Sequence, residues 1–411
     1  MAERKFEEFD TVITGGGIIG CSIAYHVARA GIPSVLVLER NSLASGATSR
    51  AAALLTQARA KACQTPLALR THAAISELEE ELGDPMGLRR TGSLHVAATP
   101  ERYQELVGLV RIAEQYGISF AWLDRPEAEW RVPWLNASMA TGLVLMPDDA
   151  FVDPYLLAHG YARAARSCGV IFRPGQEVTS IVRNGTAVQG VRTPEGEIRA
   201  RCVVDAGGAW AGLLAWELGV RLPMAPVRSH YWIIQPESSF PADMPYAILP
   251  DANAYVRPEL GGLILGLREA DSLSVDPHTI PSNLAGVPFG DEEEGWNIYI
   301  EGSERLRRFY PALDEARFNK FITGLSTYTP DGQFVIGPVP HLDGYLVASG
   351  CCGAGIAVSG GIGLAIAELV GGKAASFDLK PYRADRFGPI DPSSQEFRAR
   401  CAATRSAKVS G

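Results

Sequence analysis

The chain has 411 residues, of which 46% are hydrophobic and 20% are charged, a composition typical of a globular protein. This length predicts two domains of ordinary size. The net charge of −8 argues against a nucleic-acid partner, because binding to a phosphate backbone normally needs a basic face. The sequence shows no signal-peptide pattern and no run of roughly 20 apolar residues, so we expect a soluble, cytoplasmic protein without a membrane span. Seven cysteines without CxxC spacing fit a reducing compartment.

The first elements in the chain are predicted to be a strand, a glycine turn, a helix and a second strand. Residues 9–13 form a short β-prone run, residues 18–30 have helical spacing, and residues 34–39 have the composition of a buried strand. This series is a βαβ unit, whose parallel sheet places the turn where ligands bind. Further helices are predicted over residues 65–82, 101–116 and 154–168.

Strands with hairpin turns dominate the middle of the chain, and an α/β pattern returns near its end. The fold class predicted is therefore α/β plus α+β, with a Rossmann-type nucleotide-binding domain and an inserted substrate domain built on a mostly antiparallel sheet with helices. The first domain is predicted over residues 1–85, 140–222 and 325–411, and the second over residues 86–139 and 223–324.

The run Gly-Gly-Gly-Ile-Ile-Gly at residues 15–20 follows the first predicted strand, and three of its four glycines form a nucleotide-binding fingerprint. Gly15 permits a tight turn, Gly17 lets backbone N–H groups approach a pyrophosphate, and Gly20 lets the helix pack closely on the strand. The helix N-terminus adds a partial positive charge for the phosphates. Glu39 ends the next strand, where its carboxylate is placed to accept hydrogen bonds from ribose hydroxyls. The spacing predicts a dinucleotide site, against the alternative of a glycine turn without a ligand.

Segments farther along the chain favour FAD over NAD. A small-residue loop, Ser-Gly-Ala-Thr-Ser-Arg at residues 45–50, can follow an extended dinucleotide. This loop resembles that of the D-amino acid oxidase superfamily, in particular its glycine oxidase, sarcosine oxidase and dimethylglycine dehydrogenase branch, which includes glycine-oxidase-like enzymes of β-amino acid biosynthesis. The resemblance continues, in the family's order, through Cys-Val-Val-Asp-Ala-Gly-Gly-Ala-Trp at 202–210, Thr-Pro-Asp-Gly at 329–332, Ile-Gly-Pro at 336–338 and the glycine loop at 348–355.

The resemblance implies that FAD is the cofactor and that it is bound noncovalently. Covalent members attach the flavin through a histidine in the early loop or through a cysteine ahead of the Thr-Pro-Asp motif, and Arg50 and Gly324 stand at these positions here. The FAD-binding residues that the motifs imply are Gly15, Gly17, Ile18, Ile19, Gly20, Glu39, Arg40, Ala47, Thr48, Ser49, Val178, Ala206, Gly207, Trp210, Gly353, Ala354, Gly355 and Ile356.

The substrate site departs from the family pattern at three positions. The resemblance implies an arginine and a lysine that bind the substrate carboxylate and a second lysine that promotes the reaction with oxygen. Ser326, Ala357 and Ile264 stand at these positions in this chain. Loss of both carboxylate ligands favours a substrate larger than glycine or sarcosine, and loss of the second lysine argues against fast oxidase behaviour.

Candidate substrate ligands remain in the second predicted sheet. Tyr255 and Arg257 share a strand face by period-2 alternation, and Arg268 ends the next strand. The resemblance places Tyr255 and Arg268 at active-site positions. A guanidinium binds a carboxylate through two hydrogen bonds, so Arg268 is the predicted ligand. For Arg268, the alternative is a surface ion pair with Glu269 or Asp271. For Arg257, the alternative is a structural role.

Two further residues complete the candidate active site. Arg50 contacts the substrate or, in the alternative interpretation, covers the flavin. Cys352 lies in the glycine loop, where a small buried side chain without a chemical role is the alternative. His72 and His230 are expected to be surface or packing residues. No Cys/His cluster has zinc spacing, so no metal is predicted.

We therefore predict an FAD-dependent amine oxidoreductase that acts on an N-substituted glycine or a related amino acid. A hydride passes from the carbon next to nitrogen to flavin N5, and the imine hydrolyses to an amine plus glyoxylate or an oxo acid. O2 or another acceptor reoxidises the flavin. One alternative is a dehydrogenase of 2-hydroxy acids or polyols, which needs a histidine base near the flavin. Another is a flavin-binding subunit of a multi-subunit dehydrogenase. Homo-oligomerisation stays open.

Overall fold

A computed structural model describes residues 7–235, 240–284 and 292–408. The predicted βαβ unit is formed by strand β1 (Glu7–Thr14), helix α1 (Ile18–Arg29) and strand β2 (Val35–Glu39). The other helices are α2 (Thr65–Leu82), α3 (Pro100–Gln115), α4 (Arg125–Arg131), α5 (Pro154–Ser167), α6 (Ala211–Glu217), α7 (Glu292–Leu306), α8 (Ser359–Val370) and α9 (Gln395–Ser406). Within the described ranges, none of the helices has the length and apolar composition needed to cross a membrane.

The remaining strands are short or of medium length, and most of them belong to two large sheets. They are β3 (Leu54–Leu55), β4 (Ser93–Ala97), β5 (Ala121–Trp122), β6 (Gly142–Met146), β7 (Ala150–Phe151), β8 (Ile171–Pro174), β9 (Ser180–Asn184), β10 (Ala187–Thr193), β11 (Gly196–Asp205), β12 (Ala225–Ile234), β13 (Tyr246–Leu249), β14 (Ala254–Glu259), β15 (Gly262–Leu267), β16 (Phe318–Tyr328), β17 (Val335–Pro338) and β18 (Tyr345–Ser349).

The first sheet has the strand order β17-β18-β11-β1-β2-β8, with β10 and β9 attached beside β11. Strand β1 runs parallel to both β2 and β11, with Thr14 opposite Leu38 on one side and Asp205 on the other. Helix α1 packs against α5 and α8. A Cβ at Gly363 of α8 would lie 2.4 Å from Ser22 Oγ of α1, so only a glycine allows this close helix contact. The predicted Rossmann-type arrangement is confirmed.

The second sheet has the order β16-β12-β15-β14-β13-β4-β6-β5 and is antiparallel except between β13 and β4. Its strand β6 was assigned to the first domain by the predicted boundary at residue 140, but β6 pairs with β4. The predicted boundary at residue 325 likewise falls inside β16. Both predicted boundaries therefore cut through the second sheet, because hydrophobic pattern alone does not tell which sheet a short strand joins. The division into two domains stays a prediction.

The two faces of the second sheet have different coverings. Trp232, Leu265 and Val256 lie in a hydrophobic core that also includes Ile298 and Tyr299 of α7. The opposite face approaches the first sheet's loops, and a Cβ at Gly324 would lie 2.7 Å from the side chain of Arg50. The second sheet therefore presents one face to the ligand-binding loops of the first.

The strand pair that carries the predicted substrate ligands is a tight hairpin. Strands β14 and β15 meet at Leu260 and Gly261, which have φ values of 48° and 82°. Tyr255 lies opposite Gly266, and a Cβ at Gly266 would lie 2.0 Å from the Tyr255 ring. The glycine thus creates the space into which the tyrosine ring turns.

Candidate active site

The glycine turn after β1 is shaped by two very close backbone approaches. Gly15 has φ of 99°, and a Cβ there would lie 2.5 Å from the carbonyl oxygen of Ala206. A Cβ at Gly20 would lie 1.9 Å from the carbonyl oxygen of Gly15. Gly17 precedes α1 in an extended conformation. The turn therefore brings the start of α1 beside the end of β11, where its free N–H groups can meet a phosphate.

Glu39 stabilises this turn as well as facing the site. Its Oε2 accepts a hydrogen bond from the Gly16 N–H at 2.8 Å, and its Oε1 accepts one from the Asn41 N–H at 2.8 Å. A carboxylate has about four lone-pair sites, so both oxygens can still accept from a ribose. Beside it, the Arg40 guanidinium lies 4.6 Å from the Trp210 ring centroid.

A cavity of about 480 Å³ extends from Glu39 and Val178 to the glycine loop after β18. The buried Nε1 atom of Trp210, on its wall, has no hydrogen-bond partner among the described residues. The predicted FAD-binding residues on the wall are Gly15, Gly17, Ile18, Ile19, Glu39, Arg40, Ala47, Thr48, Val178, Ala206, Gly207, Trp210, Gly353, Gly355 and Ile356. The predicted residues Gly20, Ser49 and Ala354 do not line the cavity, although each is next in the chain to a residue that does.

Some cavity residues were not predicted from the sequence. Helix α6 contributes Leu213, Leu214 and Glu217, and strand β16 contributes Leu325, Ser326 and Thr327. Helix α6 has only seven residues, too few to show a clear helical period.

Asp205 is a buried carboxyl at the end of β11, next to the glycine turn. It accepts hydrogen bonds from Thr14 Oγ1 at 3.2 Å, Gly207 N at 2.9 Å and Tyr345 Oη at 2.8 Å. Burial raises its pKa to about 6, although these hydrogen bonds oppose the rise. Asp205 therefore ties together β1, β11 and β18 next to the residues Thr14 and Ala206, which line the cavity.

The glycine loop contains a turn with left-handed backbone at Cys352 and Gly353, whose φ values are 49° and 70°. The Cys352 N–H donates to the Thr327 carbonyl at 2.8 Å, and its Sγ contacts the Gly350 carbonyl at 3.2 Å. Burial raises the pKa of the Cys352 thiol, and it raises that of Cys351, which lines the cavity, to about 12. Both thiols are therefore protonated at neutral pH and poorly nucleophilic.

Arg268 is buried directly after β15, with 6% of its surface exposed. Its Nη1 donates to the main-chain carbonyl of Lys408 at 2.7 Å, and burial lowers its pKa to about 10. The alternative ion pair is not formed in the described structure, because the Glu269 carboxylate instead lies 3.2 Å from Arg405 and 3.2 Å from His230. Burial also raises the pKa of Tyr255, and the charge of Arg268 opposes that rise.

The other two predicted arginines are engaged by protein groups. Arg257 forms an ion pair with Glu259 and donates to the Ala52 carbonyl at 2.8 Å. Arg50 donates to the carbonyls of Ser45 at 2.6 Å and Leu284 at 3.0 Å. Arg50 thus links the early loop to the distant residue Leu284.

Two cations near Cys352 were missed by the sequence analysis. Arg59 is 3% exposed, and its Nη1 donates to Thr56 Oγ1 at 2.5 Å. Lys408, which follows α9, donates from Nζ to the Cys352 carbonyl at 3.1 Å. Burial lowers the pKa of both side chains. No local motif marks either residue, because each reaches the site only through tertiary packing.

Histidine and metal chemistry have little support in this site. Within the described ranges, no cluster of three or more His, Cys, Asp or Glu side chains could hold a metal ion. The residues that line the 480 Å³ cavity, as far as the chain is described, include no histidine. His230, expected to be a surface or packing residue, is buried and packs edge-on against Trp232.

The chain is similar to known flavin enzymes over nearly all of its length. It is 34% identical to 4-methylaminobutanoate oxidase (formaldehyde-forming) of Paenarthrobacter nicotinovorans, over 95% of this chain and 47% of that protein. It is 30% identical to mitochondrial dimethylglycine dehydrogenase of Homo sapiens, over 94% of this chain and 45% of that protein. The chain thus spans about half the length of these relatives.

A crystal structure of glycine oxidase from Geobacillus kaustophilus superposes with a TM-score of 0.77 at 27% identity, covering 94% of this chain and 100% of that one. The family model described as DAO, FAD dependent oxidoreductase, matches residues 10–369. The described site fits the cofactor of this family, since it combines a glycine cradle, a helix N-terminus and an unpartnered indole N–H along one cavity. The chain belongs to the DAO family of FAD dependent oxidoreductases, as its motifs predicted, and its cofactor is FAD.

Proposed function

We propose that this protein oxidises the C–N bond of an N-substituted amino acid, of the N-substituted glycine type or a close relative. The observation that carries the proposal is Arg268, a buried guanidinium beside Tyr255 that has no carboxylate partner among the described residues. A buried cation is costly without an anion, and a substrate carboxylate would supply one. The names of the two relatives, which concern methylated amino acids, support the same substrate class.

The protein's part in the reaction is to bind and orient the substrate. FAD, when bound, supplies the acceptor of a hydride, that is, of two electrons and one proton from the substrate C–H bond. Arg268 would fix the carboxylate through its remaining N–H groups, so that the C–H bond points in one direction. Tyr255 would bound the site on the same sheet face. Water then hydrolyses the substrate imine to an amine and an aldehyde or oxo acid.

FAD attachment is proposed to be noncovalent. Arg50 and Gly324 stand where covalent members carry a histidine and a cysteine, and the two residues are in contact. The Cys351 thiol on the cavity wall is protonated at neutral pH because burial raises its pKa to about 12. Acid denaturation followed by mass spectrometry should release intact FAD and leave the polypeptide mass unchanged. A polypeptide that carries the added mass of FAD would contradict this.

Anaerobic titration of the purified holoprotein tests the proposed reaction. Addition of dimethylglycine, 4-methylaminobutanoate or an N-carboxymethyl amino acid should bleach the flavin. The absorbance is followed at roughly 450 nm, where oxidised flavin absorbs. Product analysis should then find the dealkylated amine and the matching aldehyde or glyoxylate. Bleaching by 2-hydroxy acids and not by amines would establish the alternative dehydrogenase reaction.

A further inference from the structure

The end of helix α9 joins two distant parts of the chain. We call residues 404–408, which include the last turn of α9, the C-terminal segment. Arg405 Nε donates to Ser229 Oγ of strand β12 at 3.3 Å, and Lys408 Nζ donates to the Cys352 carbonyl of the glycine loop at 3.1 Å. The C-terminal segment therefore connects the second sheet to a loop whose neighbouring residues line the 480 Å³ cavity.

The same segment holds the loop that follows β15 and begins with Arg268. Arg405 Nη1 donates to Ser272 Oγ at 2.8 Å, and the Ser272 N–H donates to Ser406 Oγ at 3.1 Å. Arg268 Nη1 donates to the Lys408 carbonyl at 2.7 Å, which, within the described ranges, is the one hydrogen bond that its guanidinium forms. Both the start and the end of this loop are thus fixed to the C-terminal segment.

A buried ion pair between Glu269 and Arg405 lies among these contacts. Glu269 Oε2 is 3.2 Å from Arg405 Nη1, and the two residues are 8% and 3% exposed. His230 Nε2 and Arg228 Nη2 approach the same carboxylate at 3.2 Å and 3.4 Å. Solvent screens a buried ion pair little, and loss of one partner leaves an uncompensated buried charge. Glu269 therefore ties Arg405 to the residue next to Arg268.

We propose that Arg405 is a positioning residue, which orients the Arg268 guanidinium toward the substrate carboxylate through Glu269 and through the Lys408 carbonyl. This inference rests on the proposed function, in which Arg268 binds that carboxylate. Arg405 itself is occupied by protein groups, since its guanidinium donates to two serines and pairs with Glu269. We therefore assign Arg405 no direct contact with the substrate.

The orientation of Arg268 matters because a free arginine side chain has many rotamers. Two parallel N–H groups of the guanidinium plane bind a carboxylate most strongly, and a hydrogen bond from Nη1 to a fixed carbonyl restricts how that plane can turn. Ordering a free arginine side chain costs binding free energy when the ligand binds. Without Arg405, the last turn of α9 loses an anchor on the second sheet, and the Lys408 carbonyl loses its fixed position. Carboxylate binding should then weaken.

Binding of butanoate, an unreactive acid, to the FAD-containing full chain tests this inference without an oxidation step. Perturbation of the flavin spectrum gives the Kd, and we expect Arg405→Met to raise it about tenfold, the upper end of the cost of immobilising one long side chain. Arg405→Lys keeps the charge opposite Glu269 but lacks the fork that reaches both serines, so its Kd should lie between those of wild type and Arg405→Met.

Ser272→Ala keeps the inference testable if Arg405→Met fails to fold. This small change removes one hydrogen-bond acceptor of Arg405 and retains the ion pair with Glu269, so the Kd for butanoate should rise about threefold. Arg398→Met is the matched control, because Arg398 also belongs to α9 but its Nε donates to the Ser393 carbonyl just before the helix. Its Kd should stay within about twofold of wild type.

Two further measurements distinguish positioning from a general structural defect. The double variant Arg268→Ala with Arg405→Met should bind butanoate no more weakly than Arg268→Ala alone, because Arg405 acts through Arg268. In steady-state kinetics with the amino acid that bleaches the flavin, Arg405→Met should raise KM and leave kcat within about twofold. The same amine without its carboxylate should be oxidised as well by Arg405→Met as by wild type.

The outcomes separate this inference from the proposed function. A Kd within about twofold of wild type in folded, FAD-containing Arg405→Met, additive effects in the double variant, or equal losses with and without the substrate carboxylate would overturn the positioning role. If Arg268→Ala alone still weakens butanoate binding, carboxylate binding by Arg268 stands. Wild type that binds no butanoate would contradict both roles. Butanoate binding that depends on Arg405, in a protein whose flavin no amine reduces, would support the positioning role and contradict the proposed reaction.

Discussion

The dinucleotide site and the proposed substrate site are built in different ways. At the dinucleotide site, one short segment supplies most of the geometry: within a single βαβ unit, Gly20 packs against the Gly15 carbonyl and Glu39 accepts from the Gly16 N–H. At the proposed substrate site, Arg268 and the glycine loop at Cys352 are joined through Lys408, which comes from a distant segment. The first region depends on backbone shape and the second on charge, so substitutions should affect the two regions in different ways.

The largest effect is expected at Gly20. Gly20→Ala would place a Cβ 1.9 Å from the Gly15 carbonyl oxygen, a backbone contact that cannot relax, so we expect a loss of more than about 3 kcal/mol of stability together with FAD binding. Thermal denaturation and the flavin-to-protein ratio measure both. Gly108→Ala is the matched control, since Gly108 also lies in a helix but has open space around it. It should stabilise the protein by up to about 1 kcal/mol.

Arg268→Ala should have the next largest effect and should leave the dinucleotide end intact. Removing a buried charge partner costs about 3 kcal/mol, which corresponds to a KM about a hundredfold higher. Steady-state kinetics on the amine that bleaches the flavin measures this, and FAD content should be unchanged. Arg268→Lys should recover little, because lysine lacks the planar fork. A KM within about threefold of wild type would instead favour Arg257 or Arg50 as carboxylate ligand.

Glu39→Ala should weaken FAD binding without changing the substrate KM of the FAD-saturated enzyme. The substitution removes the acceptor of the Gly16 and Asn41 N–H groups and the acceptor proposed for ribose, each worth about 1.5–3 kcal/mol. Equilibrium dialysis should show a Kd for FAD at least about tenfold higher, with Glu39→Gln in between. An unchanged Kd would show that Glu39 contributes only to the local turn.

Asp205→Asn should change how stability depends on pH. Burial raises the folded-state pKa of Asp205 to about 6 from its ordinary value of 3.8, so the folded state holds the proton more tightly. The stability associated with that proton is full below about pH 4 and is lost as pH rises through about 6, an effect on the order of 3 kcal/mol. Asparagine lacks this loss. The Tm of the variant apoprotein, relative to the Tm of wild type, should therefore increase between about pH 4.5 and about pH 7. A Tm difference that stays constant over this range would contradict the raised pKa of Asp205.

The same contrast explains what the sequence could predict. Helix α2 lies where helical spacing predicted it, at Thr65–Leu82, and the glycine fingerprint predicted the turn between β1 and α1 because the geometry of that turn is local. Strand β6 falls in the residues predicted for the first domain but pairs with β4 of the second sheet, because pairing partners are chosen by tertiary packing. Arg59 and Lys408 carried no signal, because an isolated arginine or lysine in a sequence usually lies at the surface.

The most direct test of the account compares flavin reduction by an acid and by the same amine without its carboxylate. Under anaerobic conditions, 4-methylaminobutanoate or another N-methyl amino acid that bleaches the flavin is mixed with the holoprotein, and the decarboxylated amine is mixed in parallel. We expect wild type to be reduced at least about a hundredfold more efficiently by the acid, and Arg268→Ala to lose most of this advantage with its FAD retained. Equal reduction of wild type by both compounds would contradict a carboxylate-binding role for Arg268.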